Sequence, residues 1–150
     1  MKIVVLKFGG TSVGTIEKIK NVANIISLYK KKYKVIVVTS AMSRVTNDLI
    51  SKSKKISDNF SDQEYDVLVS SGEQVACSLI AGRLIHKGFK SRSWLAWQIP
   101  IITDDLHKNA KIREINKIKI VKYLKTGGIP IIAGFQGMTR EGKISTIGRG

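Results

Sequence analysis

Three short apolar runs, separated by longer segments with helical periodicity, constrain the fold of this chain more than any other feature. The runs lie within residues 2–8, 35–38 and 129–135 of the 150-residue sequence. Strands without alternating polar positions are typical of a parallel sheet, because helices cover both of its faces. The pattern therefore predicts three strands that are buried on both faces.

The segments between these runs repeat apolar side chains at intervals of three and four residues, which predicts helices. A helix over residues 15–33 joins the first two strands, and such strand–helix–strand units have a right-handed crossover. Further helices are predicted to begin near Thr46 and Gln63. Gly72 interrupts the pattern that starts at Gln63, so we expect two helices there with Glu73 at their junction.

The remaining elements complete an alternation of strands and helices. Residues 90–95 form a predicted strand, residues 116–125 a predicted helix, and residues 138–145 a predicted hairpin that turns at Glu141 and Gly142. Alternating buried strands and helices predict an α/β domain with three layers in the order α/β/α.

The stretch KFGGTSV at residues 7–13 joins the first predicted strand to the first predicted helix. Paired glycines let the backbone approach an anion closely, and the N–H groups that open the following helix favour negative charge. Lys7 adds a positive charge, and Thr11 and Ser12 add hydroxyl groups. The stretch is therefore a candidate phosphate cradle, with a plain strand-to-helix turn and a surface lysine as the alternative. It lacks the spacing of a Walker A loop.

Composition excludes several classes of function. No apolar run approaches the roughly 20 residues of a membrane span, and we expect no signal peptide. The single cysteine, Cys77, excludes an internal disulfide, fits a reducing cytoplasm and is expected to be a buried, inert thiol.

Two further features concern metals and nucleic acids. His86 and His107 are not accompanied by a set of further metal ligands, so no metal-binding residue is predicted. The net charge of +15 comes largely from lysines scattered along helices, which does not favour specific nucleic-acid binding.

Four motifs occur in a fixed order along the chain: residues 7–13, residues 38–47 (VTSAMSRVTN), residues 70–75 (SSGEQV), and residues 134–137 (GFQG) leading to 146–150 (TIGRG). Together they resemble aspartate kinases, which are members of the amino-acid kinase superfamily. Weaker similarities at residues 97–103 and 109–112 extend the resemblance over essentially the whole chain. The resemblance implies the three-layer amino-acid kinase fold.

The resemblance also implies a reaction. Aspartate kinases transfer the γ-phosphoryl group of ATP to the β-carboxylate of L-aspartate and give 4-phospho-L-aspartate, with Mg²⁺ bridging the nucleotide phosphates. This reaction serves the biosynthesis of lysine, threonine and methionine in the cytoplasm. By resemblance, Lys7 is the catalytic residue. The residues expected to hold the nucleotide phosphates are Lys7, Phe8, Gly9, Gly10, Thr11 and Ser12, and those expected to contact aspartate are Ser40, Thr46, Glu73, Phe135, Arg149 and Gly150.

Three of these residues have alternative interpretations. Thr46 could cap the N-terminus of a helix, Glu73 could interact with the dipole at the start of its own helix, and Phe135 could belong to the core. Arg44 stands where aspartate kinases often have glycine, which could change the loop before Thr46, and Ala96 replaces another common glycine.

The resemblance leads us to expect the N-terminal, substrate-binding portion of an aspartate kinase with an incomplete sheet. In that family a Gly-Ser-Asp motif, a nucleotide-holding half and usually regulatory ACT domains follow the position of Gly150. The expected partners are L-aspartate and ATP, with a homo-oligomer or a complementing downstream chain left open. Three alternatives remain: an inactive remnant that at most binds aspartate, a related kinase acting on another carboxylate or carbamate, and a basic nucleic-acid-binding module.

Overall fold

A computed structural model describes residues 2–148, so the predictions made for Arg149 and Gly150 lie outside the described residues. The four helices are α1 (Ile16–Lys30), α2 (Val45–Ile56), α3 (Asp62–His86) and α4 (Ile118–Lys125). The strands are β1 (Ile3–Phe8), β2 (Lys34–Thr39), β3 (Ser91–Trp94), β4 (Ile101–Thr103), β5 (Ile112–Ile115), β6 (Ile129–Ala133), β7 (Gln136–Met138) and β8 (Ile144–Thr146).

The strands form two four-stranded sheets. The first has the order β1-β2-β6-β3 and is parallel throughout. Helices α1 and α3 pack on one face of it and α4 packs on the other, which confirms the predicted α/β/α layering. The second sheet has the order β5-β4-β7-β8 and contains both parallel and antiparallel pairs.

Strand β1 is not buried on both faces, so that prediction was wrong. It lies at the edge of the first sheet, and Ile3 and Val5 are 55% and 59% exposed. Val4 and Leu6, which point the other way, pack against the core beneath α1 and α3. The apolar run predicted the strand correctly. It carried no information about the outer face of that strand, which no helix among the described residues covers.

Helix α3 runs without a break for 25 residues, so the predicted division at Gly72 was also wrong. Gly72 is buried where α3 meets the start of α2. A Cβ atom at this position would lie 2.9 Å from the Ala41 Cβ atom and 3.1 Å from the Val45 Cγ1 atom. The glycine therefore permits a close approach between two segments of backbone. It also follows that Glu73 lies in the middle of a helix.

Several local predictions are confirmed. The Thr15 side chain accepts a hydrogen bond from the Lys18 N–H and caps α1, as expected for a helix beginning at this residue. The hairpin of β7 and β8 turns at Gly142, whose φ of 82° is the left-handed conformation that glycine adopts without strain. Among residues 2–148, no helix combines the length and the apolar composition needed to cross a membrane.

Two glycines of α3 provide a matched test of this packing. Gly72→Ala is expected to lower the free energy of unfolding by about 1–3 kcal/mol, because the new methyl group overpacks the contact with α2. Gly82→Ala, where nothing lies within 4 Å of an added Cβ atom, is expected to raise it by up to about 1 kcal/mol through helix propensity. Urea unfolding followed by circular dichroism measures both. Equal stabilisation by the two substitutions would contradict the close approach.

Candidate functional site

A cleft of about 450 Å³ opens at the carboxyl ends of β1, β2 and β6. Parallel strands end at the same edge of a sheet, and ligands of open α/β sheets bind at that edge. The residues that line it come from all four sequence motifs: Lys7, Gly10, Val38, Thr39, Ser40, Ala41, Met42, Ser43, Arg44, Thr46, Asn47, Glu73, Gly134, Phe135, Ile147 and Gly148.

The glycine turn after β1 contributes Lys7 and Gly10 to this cleft. Gly10 lies close to the next loop, because a Cβ atom there would be 3.1 Å from the Ala41 carbonyl oxygen. Phe8, Thr11 and Ser12 line a separate hollow of about 230 Å³, and Gly9 lines neither space. Two of the six residues predicted to hold phosphate therefore face the main cleft.

Helix α1 does not begin directly after the glycine turn. The turn first closes on itself through a hydrogen bond of 2.9 Å from the Ser12 N–H to the Gly9 carbonyl. The helix then starts at Ile16, where Thr15 already occupies the capping position. The N-terminus of α1 is thus four residues beyond Ser12, so backbone close to the cleft is that of the glycine turn itself.

The loop after β2 forms a second wall. Its first residue, Ser40, is fixed by a hydrogen bond of 3.0 Å from its N–H to the Phe8 carbonyl. Arg44 precedes α2 in the left-handed conformation, with a φ of 69° and no capping hydrogen bond from its side chain. Glycine adopts this conformation without strain, whereas a residue with a Cβ atom such as Arg44 adopts it at a cost.

Thr46 is the second residue of α2 and not its N-cap, so the capping interpretation was wrong. Its half-buried side chain lines the cleft together with Ser40. Two hydroxyl groups therefore border the space where a ligand would lie. Asn47, Ser43 and Met42 also line it; sequence reasoning did not single them out, although they belong to the same motif.

Glu73 reaches the cleft from α3. Its side chain is buried, and its Oε1 atom accepts a hydrogen bond of 3.2 Å from the Ala41 N–H. The alternative in which Glu73 serves the start of its own helix was wrong, because α3 begins eleven residues earlier at Asp62. The carboxylate fastens the loop after β2 to α3 and places a negative charge among the positive charges of Lys7 and Arg44.

Phe135 forms the third wall. It follows the end of β6 with a φ of 64°, a left-handed conformation that is uncommon for a bulky residue. Phe135 is half-buried and belongs to neither core cluster of the described residues, so the interpretation of Phe135 as a core residue was wrong. Its carbonyl accepts a hydrogen bond of 2.9 Å from the Ile147 N–H, which brings Ile147 and Gly148 to the cleft.

The two histidines have separate surroundings. His107 Nδ1 lies 2.7 Å from Asp66 Oδ2, and His86 is exposed. Within residues 2–148, no group of three or more His, Cys, Asp or Glu side chains could hold a metal ion.

Comparison with known proteins places these motifs in a family. The model of the amino acid kinase family matches residues 2–150. The chain is 48% identical to an aspartokinase of Geobacillus stearothermophilus and 46% identical to aspartokinase 2 of Bacillus subtilis, in both cases over its whole length. It spans 37% of the length of each of these curated relatives.

Solved structures agree on the fold. An aspartate kinase from Synechocystis matches the whole chain with a TM-score of 0.80 and 35% identity, and the match covers 24% of that protein. Escherichia coli aspartokinase III, crystallised with aspartate and ADP, matches with a TM-score of 0.84 and 21% identity, with 44% of it covered. The chain belongs to the amino acid kinase family.

The helix that carries Glu73 also carries Cys77, one turn further on. Burial and, to a smaller extent, the negative charge of Glu73 together raise the pKa of the Cys77 thiol from 9.0 to about 12. Because the folded pKa lies above the unfolded value, this thiol contributes stability that is complete below pH 9 and is lost as the pH rises towards 12.

Cys77 is therefore expected to resist alkylation in the folded protein. At pH 8, a pKa near 12 leaves roughly a thousandfold less thiolate than a pKa of 9, and only the thiolate reacts. Iodoacetamide labelling followed by mass spectrometry measures the rate, with the urea-unfolded chain as the control. Labelling of the native protein at the unfolded rate would contradict the burial of this thiol.

Proposed function

We propose that this chain is the substrate-binding part of an aspartate kinase, which transfers the γ-phosphoryl group of ATP to the β-carboxylate of L-aspartate. One observation carries the proposal: Lys7, Ser40, Thr46, Glu73 and Phe135, which come from four separate motifs, line a single cleft. The identity of 48% to a curated aspartokinase over the whole chain supports the same activity.

The proposed reaction does not require a covalent intermediate on the protein. A carboxylate is already ionised at neutral pH, so the β-carboxylate of aspartate attacks the γ-phosphorus without a general base. The new bond joins a carboxylate oxygen to phosphorus, and the bond from phosphorus to the bridging oxygen of ADP breaks. The products are an acyl phosphate and ADP. Phosphoryl transfer of this kind depends on positioning and on neutralisation of charge.

In this proposal some residues act on the transferring phosphoryl group and others bind aspartate. Lys7 stabilises the negative charge that develops on the transferring phosphoryl group, and the Gly10 backbone lets that group approach closely. Glu73 pairs with the α-ammonium group of aspartate or holds the loop that does so. Ser40 and Thr46 offer hydroxyl groups to the substrate. We assign the grip on a substrate carboxylate to Arg149, with Gly150 beside it, because guanidinium groups bind carboxylates in a bidentate manner.

Residues 2–148 contain no group of three or more His, Cys, Asp or Glu side chains that could hold Mg²⁺ by themselves. We therefore assign the ion to no residue of the chain, and no step above passes through it. Mg²⁺ commonly binds through substrate phosphates and a small number of carboxylates.

We propose that a nucleotide-binding half, which the resemblance assigns to sequence beyond Gly150, completes the site for ATP. The biosynthesis of lysine, threonine and methionine is the proposed pathway. The cytoplasm is the proposed compartment, which fits the free, buried thiol of Cys77.

Aspartate binding by the 150-residue chain is the first test. Aspartate at about 100 times its Kd stabilises a protein by about 2.7 kcal/mol, which for a domain of this size is expected to raise Tm by about 5–10 °C. Differential scanning fluorimetry measures the shift. L-Asparagine, which lacks the β-carboxylate, and succinate, which lacks the ammonium group, are the matched ligands and are expected to give much smaller shifts. Equal shifts for all three would contradict the proposal.

The role of Lys7 is tested by trapping the acyl phosphate with hydroxylamine. Any aspartate- and ATP-dependent hydroxamate is expected to fall by at least about 100-fold in Lys7→Ala, the usual loss when one group that stabilises transition-state charge is removed. Lys2→Ala is the control, because it removes the same charge immediately before the other end of β1. An unchanged rate in Lys7→Ala would contradict the assignment.

The same assay separates the alternatives. Aspartate binding with no acyl phosphate in the parent chain favours a substrate-binding part that needs its nucleotide-binding half. Neither binding nor transfer would leave the aspartate kinase proposal without support from this chain.

A further inference from the structure

A buried carboxylate lies on α3 away from the cleft lining. Asp66 is completely buried, and both of its oxygens have partners. The Lys108 N–H lies 3.0 Å and 3.1 Å from the two oxygens, the Thr146 hydroxyl lies 2.5 Å from Oδ1, and His107 Nδ1 lies 2.7 Å from Oδ2. A carboxylate in such a position destabilises the fold unless its partners are held in place.

These partners come from two segments that are remote from α3 in sequence. His107 and Lys108 belong to the loop after β4, and Thr146 is the last residue of β8. The loop is held in an unusual shape, because Lys108 has a φ of 66° although it is not a glycine. The Lys108 ammonium group also pairs with Asp62 and lies 4.8 Å from the centre of the Tyr65 ring, so the loop is anchored to the first turns of α3.

Thr146 connects this network to the cleft. It is followed directly by Ile147 and Gly148, which line the cleft together with the loop after β2. The Thr146 carbonyl accepts a hydrogen bond of 2.9 Å from the Ala110 N–H. The hydroxyl bond to Asp66 thus fixes β8 immediately before the chain reaches the cleft.

Asp66 and Glu73 lie on the same face of α3, because seven residues correspond to two helical turns. Glu73 fastens the loop after β2 through the Ala41 N–H. Asp66 fastens the end of β8 through the Thr146 hydroxyl. One helix therefore sets the positions of two walls of the cleft.

We propose that Asp66 is a positioning residue for substrate binding, acting through Thr146 to hold Ile147 and Gly148 in place relative to the loop that Glu73 holds. The expected effect of Asp66 on the affinity for aspartate rests on the proposed function. The positioning of Ile147 does not rest on it, so the two are tested separately.

Three substitutions in β8 isolate this role. Thr146→Val keeps the shape of the side chain and removes the hydroxyl, and Thr146→Ser restores the hydroxyl. Ser145→Ala is the matched control, because it removes a neighbouring buried hydrogen bond of 2.7 Å to Thr103 without touching Asp66. Hydrogen exchange of the Ile147 amide, measured by NMR and corrected for global stability, reports positioning. Isothermal titration calorimetry with L-aspartate reports its consequence.

Thr146→Val is expected to weaken aspartate binding and to lower the protection of the Ile147 amide by about tenfold each, the usual size of coupling through such networks. Thr146→Ser is expected to recover both to within about twofold, and Ser145→Ala to change neither. A purely structural role predicts instead that Thr146→Val and Ser145→Ala behave alike, and that result would overturn the proposal.

Two further outcomes are decisive. If the parent chain does not bind aspartate, the proposed function fails while the exchange rate of Ile147 still decides the positioning. If Thr146→Val does not fold, His107→Ala takes its place, because it removes one support of Asp66 without altering β8. Parent-like Ile147 protection in His107→Ala would then overturn the proposal, and a loss of about threefold or more would support it.

Discussion

The close packing of α3 against the residues that open α2 is the contact on which the candidate site depends. Because Gly72 has no side chain at the crossing, Ala41 and Val45 can lie directly against the helix. This approach brings the Ala41 N–H within reach of Glu73, and the resulting hydrogen bond orients the loop that carries Ser40 and Thr46. A larger side chain at one position would therefore displace a wall of the cleft, although that side chain would not touch a ligand.

The distribution of charge follows from the same arrangement. The chain has 26 basic and 11 acidic residues, yet the charged residues that are buried among residues 2–148 are both acidic, Asp66 and Glu73. Lysine keeps its ammonium group in water at small cost, whereas a buried carboxylate persists when backbone N–H groups and hydroxyls converge on it. The excess of positive charge is thus a property of the surface. The interior uses negative charge to hold loops at defined positions.

Sequence patterns predicted the parts of the fold that depend on local information. The apolar runs identified β1, β2 and β6, and Thr15 marked the start of α1. The errors arose where tertiary contacts decide the outcome. Gly72 serves a helix crossing and does not break α3, and β1 is partly exposed because it lies at an edge.

The second sheet and the Asp66 network escaped prediction for related reasons. Strands β4, β7 and β8 have three residues each, which is too short for an alternating pattern to stand out. Asp66 and Thr146 are 80 residues apart, and no local signal joins a polar residue on a helix to a threonine on a distant strand. The motif residues around the cleft were found through a family resemblance, because physical patterns alone do not single out all of these positions.

The order of strands in the first sheet has a consequence for how the protein is made. Strand β6 lies between β2 and β3, so the sheet cannot close until residues about 90 positions beyond Thr39 have left the ribosome. At translation rates of about 5–20 residues per second, the first two strands and α1 wait for several seconds with an unpaired edge of β2. During this interval the nascent chain presents an aggregation-prone strand edge to the cell. The cleft itself, which needs β6, Phe135 and β8, cannot form until all three have been synthesised.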